Sequence, residues 1–265
     1  MHSFAYSRPD TLADALAALA ADPDATALSG GQTLLPVLRA RLAAPTRLID
    51  LGRLPELRGI RIAGDRLEIA AGETHAAVAA SALVQDALPA LASLASGIGD
   101  PQVRNRGTIG GSIANNDPSA CYPSAALALD AVIQTSRRSV AADAFFTGMF
   151  TTALEPGEIV TAISLPRCDK AVYLKFANPA SRFALIGVFS AKLQGQTRIA
   201  ITGGGAGVFR WSAAERHMDA GGALAGLAGV ALDADHFNGD IHASVAYRIQ
   251  LARTVTQRAL AVLAA

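Results

Sequence analysis

Cysteine is nearly missing from this chain. Its 265 residues include two, Cys121 and Cys168, far apart and outside any Cys-x-x-Cys pattern. Iron–sulfur and zinc centres usually take about four ligands, so the chain is not expected to hold a cluster by itself. No disulfide framework is indicated, which fits a reducing compartment. Aromatic residues are scarce at 5%, leaving few rings to stack on single-stranded nucleic acid. No sign of charge dominates: 23 Lys and Arg against 22 Asp and Glu give a net charge of +1. With no long basic run, neither nucleic acid nor an acidic membrane surface is an expected partner. The N-terminus, MHSFAYSRPD, lacks the charged-then-apolar pattern of a secretory leader. Mean hydropathy is +0.30, yet no apolar run approaches the roughly 18 residues needed to cross a bilayer. A cytoplasmic protein is expected. The five histidines are scattered without metal-ligand spacing, and His75 reads as a structural residue.

Apolar residues are abundant at 51%, against 17% charged, so the chain is expected to bury a substantial core. Alanine, leucine, valine and isoleucine must fill it. The length suits two or three small domains. Asp10 or Thr11 is expected to cap a helix over 11–21, and Thr11 and Asp14 suit a capping box. A strand ending at Leu28, a helix over 33–42 and a strand over 47–50 make a compact βαβ-like unit. Strands are expected over 58–62 and 67–71, joined at Gly64–Asp65. Thr74 caps a short helix, and another runs over 86–95. A helix over 123–129 and strands over 131–135, around Val140 and over 158–165 follow. Arg167 to Lys170 is a short polar break. Beyond it, strands over 171–176, 184–193 and 198–202 and helices over 212–220 and 243–263 read as three antiparallel strands backed by helices. The class is α+β, with units 1–55, 56–168 and 169–265.

Two glycine-paired segments stand out. The first is LSGGQTLLP, Leu28 to Pro36. Glycine at a strand-to-helix turn lets a ligand approach the backbone. The amides of Gly31, Gln32 and Thr33 are expected to stand free there, where an anion is favoured. There is no lysine in the loop and no GxGxxG spacing, so neither a Walker site nor a dinucleotide fingerprint is present. The second is RNRGTIGGSIANNDPSACYP, Arg104 to Pro123. Gly110 and Gly111 again allow close approach, and Thr108 and Ser112 offer hydroxyls. Two such loops could clamp a diphosphate with neutral donors, or each could be a tight turn that simply needs glycine. A third glycine cluster, GGGAG over 203–207, reads as a turn.

The two long segments together resemble one family. LSGGQTLLPVLRARLAAPTRLIDL and IGDPQVRNRGTIGGSIANNDPSACYP are similar to segments of the FAD-binding medium subunit of the molybdenum hydroxylases. Carbon monoxide dehydrogenase medium subunits and the flavin domain of xanthine dehydrogenase belong to that group. The likeness continues through GMFTTALEPGEIVTAISLP and YLKFANPASRFALIGV and covers nearly the whole chain. It implies a two-part PCMH-type FAD-binding domain, subdomains 1–55 and 56–168, followed by a small C-terminal α+β domain.

The resemblance also implies roles. The first loop, Leu28, Ser29, Gly30, Gly31, Gln32, Thr33, Leu34 and Leu35, would touch the FAD diphosphate. So would the second, Thr108, Ile109, Gly110, Gly111 and Ser112, with Val103 and Gly107 on its approach. Asn115 would lie near the ribityl chain or phosphate. Ile98 and Val160 match positions lining the flavin and adenine pocket. Lys175 matches a lysine at the flavin site, although a solvated strand-edge lysine is an equal reading. Cys121 stands where the family usually has aspartate, which weakens a polar contact beside the flavin or leaves it to Asp117. Cys121 reads otherwise as a small buried residue. Tyr122 would cover the flavin ring or fill the core. The implied activity is electron transfer as a flavoprotein oxidoreductase subunit, from [2Fe–2S] clusters of a small partner subunit to NAD⁺, a quinone or oxygen. A large partner subunit would carry the molybdopterin cofactor, in a dimer of heterotrimers. A stand-alone FAD oxidoreductase with the same cradle is the alternative. A nucleotide-binding module without redox chemistry is a third.

Overall fold

The computed structural model describes residues 1–265. The chain opens with strand β1 (Ala5–Ser7), helix α1 (Leu12–Ala21), strand β2 (Thr26–Leu28), helix α2 (Leu34–Arg39) and strand β3 (Arg47–Asp50). The strands form a parallel sheet in the order β1-β3-β2. Of the two cap candidates Thr11 is the one that caps α1, its hydroxyl accepting the Asp14 N–H at 3.1 Å. Ala15 and Leu19, one turn apart, are the residues α1 buries, and they meet Ile49 and Leu51 in a small core. Two details differ from the sequence reading. Strand β1 was not foreseen. Helix α2 stops at Arg39, not 42, because Arg41 adopts a left-handed φ of 59°.

The middle unit begins with β4 (Ile60–Ala63) and β5 (Arg66–Ala70), joined at Gly64 (φ 63°). Four helices follow: α3 (His75–Ala80), α4 (Ala82–Ala87), α5 (Pro89–Ser96) and α6 (Pro101–Arg104). The helix expected over 86–95 is split at Leu88 (φ −146°, ψ 69°). The residue before a proline avoids helical geometry, and Pro89 then opens the next helix. Next come α7 (Ile109–Asn115), α8 (Tyr122–Ala128), β6 (Val132–Thr135), β7 (Ser139–Ala141), α9 (Ala142–Phe145), β8 (Phe146–Gly148), β9 (Thr151–Thr152) and β10 (Val160–Pro166). The antiparallel sheet runs β4-β5-β10-β6-β7. Leu67 and Ile69 are buried between partly exposed neighbours on β5, a period-2 pattern, and Ile69 stands opposite Ile163 on β10, a central strand buried on both faces.

The last unit is an antiparallel sheet of β11 (Lys170–Ala177), β12 (Ala184–Leu193), β13 (Gln196–Thr202) and β14 (Phe209–Arg210), with α10 (Ser212–Asp219) and α11 (Val245–Ala264). It has four strands where the sequence suggested three; β14 is two residues long and leaves no readable period. The 203–207 stretch is a turn, pinned by the Gly203 N–H to Pro118 O at 2.7 Å. Alternation along β12 serves two cores at once. Phe189 and Ala191 join the main core around α8, while Ile186 and Val188 join a second core under α11. The C-terminal sheet is therefore a shared wall, and all seven residues of α8 are buried against it and its neighbours. No helix is long and apolar enough to cross a membrane.

Candidate cofactor site

All three units wall one cavity of about 520 Å³, within the range typical of small-molecule sites, roughly 300–1,000 Å³. The first wall is the turn after β2. Gly31 has φ 72°, the left-handed region in which glycine is at ease. No N–H from Ser29 through Leu34 donates to a protein acceptor; the first amide used is Leu35, to Gly31 O at 3.0 Å. The free amides expected at Gly31, Gln32 and Thr33 are there. Consecutive unpaired N–H groups ahead of a helix are a donor set for an anion.

The second segment differs from the sequence reading. It is not an open loop: Thr108 caps helix α7, accepting the Gly111 N–H at 3.0 Å. The Ile109 amide goes to Glu73 O and the Gly110 amide to Ala71 O. These amides are spent on holding α7 against the turn that follows β5. What the segment offers is proximity and hydroxyls. A Cβ on Gly110 would lie 2.4 Å from the Ala71 Cβ, so glycine is there for packing. The Thr108 hydroxyl also meets the Ser29 hydroxyl at 2.9 Å, and a Cβ on Gly30 would lie 2.2 Å from Arg106 O. The two segments are thus clasped directly together. Thr108→Ala removes both the cap and the clasp, and is expected to cost about 1 kcal/mol of unfolding free energy. Thr108→Ser should restore it, as read by urea denaturation; equal loss in both variants would contradict this role.

Of the residues singled out from sequence, Leu28 through Leu34, Ile98, Val103, Gly107, Thr108, Gly110, Gly111, Ser112, Asn115, Asp117, Cys121, Val160 and Lys175 line the cavity. Three do not. Leu35 points outward and is 37% exposed. Ile109 turns into the core because α7 presents its opposite face to the cavity. Tyr122 is 1% exposed and its ring lies 5.4 Å from that of His75, so it fills the core.

His75 lines the cavity beside Gly72 and Gly107, which sequence reasoning missed. Only the folded chain brings its ring against Gly107. Burial first, and the Arg104 charge second, push its pKa down to about 4. The folded chain holds His75 neutral while the unfolded chain titrates near 6.5. Stability is therefore full above about pH 6.5 and falls as the pH drops towards 4, by about 3 kcal/mol in all. His75→Gln should lose less stability than the parent chain between pH 7.5 and 4 in urea melts; equal losses would contradict this.

Asp117 is raised above the usual carboxyl range by burial, partly offset by the Ser119 N–H it accepts. Glu158 behaves oppositely. Burial works to raise it, but the Thr135 hydroxyl, the Glu155 N–H and Arg138 together bring it down to about 2. It is an ion-pair anchor, 3.2 Å from the Arg138 Nε. Lys175 reaches across from β11. Its Nζ donates to Gly97 O at 2.7 Å and to Arg182 O at 3.1 Å, and lies 3.7 Å from the Cys121 Sγ. Ser181, Arg182 and Phe183 close the same side, a contribution with no signal in the sequence. No cluster of His, Cys, Asp or Glu could hold a metal ion. Unpaired amides beside a clasped glycine crossing, an apolar middle and a lysine opposite suit an elongated ligand with an anionic linker.

Comparison with known proteins places this architecture. The chain is 44% identical over 168 residues to the carbon monoxide dehydrogenase medium chain of Hydrogenophaga pseudoflava; the match covers 62% of this chain and 58% of that one, less than two thirds of its length. It is 33% identical, across 98% of its own length and 94% of the relative's, to the 6-hydroxypseudooxynicotine dehydrogenase complex subunit alpha of Paenarthrobacter nicotinovorans. Among solved structures, quinoline 2-oxidoreductase from Pseudomonas putida 86 superposes with a TM-score of 0.90 at 29% identity, covering 99% of this chain and 97% of that one. Residues 2–168 match the family described as the FAD binding domain in molybdopterin dehydrogenase, and the chain belongs to that family.

Proposed function

We propose that the chain is the FAD-carrying oxidoreductase subunit of a multi-subunit molybdenum hydroxylase. The observation that carries this reading is the run of unpaired amides from Ser29 to Leu34, clasped through Ser29 and Thr108 to helix α7 at the cavity's edge. Those amides would hold the FAD diphosphate, with the Ser112 hydroxyl and the close-approach surface of Gly111 beside them. Ile98, Val103 and Val160 would supply the apolar walls, and Asn115 and Asp117 the polar contacts along the ligand. Lys175 and Cys121 would face the isoalloxazine.

Bound FAD would supply a two-electron store able to exchange electrons singly. The protein's share is binding, orientation and exclusion of water. Electrons would arrive from [2Fe–2S] clusters on a small partner subunit and leave to NAD⁺, a quinone or oxygen. A large subunit would hold the molybdopterin cofactor and the substrate, and the assembly would be a dimer of heterotrimers. The relatives' descriptions as a medium chain and as a subunit of a dehydrogenase complex support separate partner subunits, as does the lack of cluster cysteines here; the electron route, the acceptor and the dimer of heterotrimers rest on the family resemblance.

The test is co-expression of the tagged chain with a small and a large subunit, followed by visible spectroscopy of the purified material. The reading expects one FAD per copy of this chain, iron–sulfur absorbance and three co-purifying subunits. A yellow chain that stays alone and turns over a reduced nicotinamide would favour a stand-alone flavoenzyme. A folded chain that stays colourless with added FAD would end both readings.

A further inference from the structure

Lys175 is a half-buried cation without a counter-ion. Its three polar neighbours are the Gly97 and Arg182 carbonyls and the Cys121 sulfur, and it takes part in none of the chain's ion pairs. The two carboxylates that line the cavity do not serve it. Glu158 is committed to Arg138, and Asp117 accepts the Ser119 N–H without a salt bridge. Cys121 is 6% exposed, and its thiol is a weak acceptor. A buried charge normally finds an opposite one. Here the protein pins the ammonium in place with neutral dipoles and leaves the charge facing the cavity.

We infer that Lys175, left uncompensated by Cys121, is the counter-charge for the reduced isoalloxazine, so that this chain binds reduced FAD more tightly than oxidised FAD. The inference deepens the FAD reading above and rests on it. Reduction by two electrons and one proton leaves the ring system with one negative charge. An ammonium fixed beside it stabilises that form over the neutral oxidised one. Cys121 acts as a positioning residue: it contacts Lys175 and sets its electrostatic balance by contributing no carboxylate.

The test is the flavin midpoint potential of the FAD-loaded chain, measured by equilibration with redox dyes, in the parent and four variants. Cys121→Asp places a carboxylate against Lys175 and should lower the ratio of reduced to oxidised FAD affinity about tenfold, a fall of about 30 mV for a two-electron couple. Cys121→Ser, neutral and of similar size, should leave the potential in place. Lys175→Met should lower it by at least as much as Cys121→Asp, and Lys175→Arg should restore most of the loss. ADP binding to the apo chain is the control, because it reports the diphosphate without the isoalloxazine. Unchanged ADP affinity with a lowered potential supports the inference. Weakened ADP binding in Lys175→Met with an unchanged potential would mean that the lysine serves the diphosphate, and would overturn it. Equal potentials in the parent, Cys121→Asp and Lys175→Met would overturn it while leaving the FAD reading intact. A parent chain that binds no FAD would overturn both.

Discussion

Gly30→Ala is expected to lower FAD affinity at least about a hundredfold, close to 2.7 kcal/mol of binding free energy. The new Cβ would lie 2.2 Å from Arg106 O, 2.7 Å from the Gly107 Cα and 2.9 Å from the Arg106 carbonyl carbon. These are backbone atoms, so no side-chain rotation relieves the clash. The segment from Ser29 must move away from Thr108, which separates the unpaired amides from the helix they face. Overpacking of this kind typically costs 1–3 kcal/mol, and here it falls on the crossing that forms the site. The chain should still unfold cooperatively, because Gly30 lies outside its buried cores. Fluorescence titration of the apo chain with FAD, with a urea melt as control, decides the matter. Unchanged affinity would show that the clasp is not part of the cradle.

The second large effect concerns the C-terminal unit. A chain ending at Cys168 is expected to lack a cooperative unfolding transition and to aggregate. The family match ends at residue 168, so such a truncation looks natural from sequence. The packing says otherwise. Phe189, Ala191 and Ala200 belong to the same core as Leu67, Ile113 and Ala125. Removing them would strip the cover from α8, which is buried along its whole length. It would also remove Lys175 and the 181–183 wall of the cavity. Circular dichroism melts and size-exclusion chromatography of 1–168 against the full chain check this. A monomeric, cooperatively folding 1–168 would refute it.

Much of the fold was legible because its signals are local. Thr11 and Thr74 are side chains that cap helices, and a cap is written in adjacent residues. Strand β12 was readable over its full length because a mostly apolar ten-residue run, broken only by Gly187, Ser190 and Lys192 and bounded by turns, has few other uses. The helix inside TIGGS was not readable. Glycine disfavours helix by about 1 kcal/mol, and the reason for Gly110 lies 39 positions upstream, at Ala71, while a Cβ on Gly111 would meet the capping hydroxyl of Thr108 at 2.8 Å. The place of His75, read from sequence as structural, at the cavity wall was hidden for the same reason: its environment is made by Gly107 and Tyr122, which no spacing rule connects to it. Ser181 to Phe183 reach the cavity only because the C-terminal sheet folds back over it.

The cradle itself is open to direct observation. In an NMR titration of the ¹⁵N-labelled full chain with ADP and then FAD, the amides of Gly30, Gly31, Gln32 and Thr33 are expected to shift with both ligands, because both carry the diphosphate. The Gly110 amide, already bonded to Ala71 O, should move far less. Saturable FAD binding that leaves the amides of Ser29 to Leu34 unmoved would contradict the account at its centre.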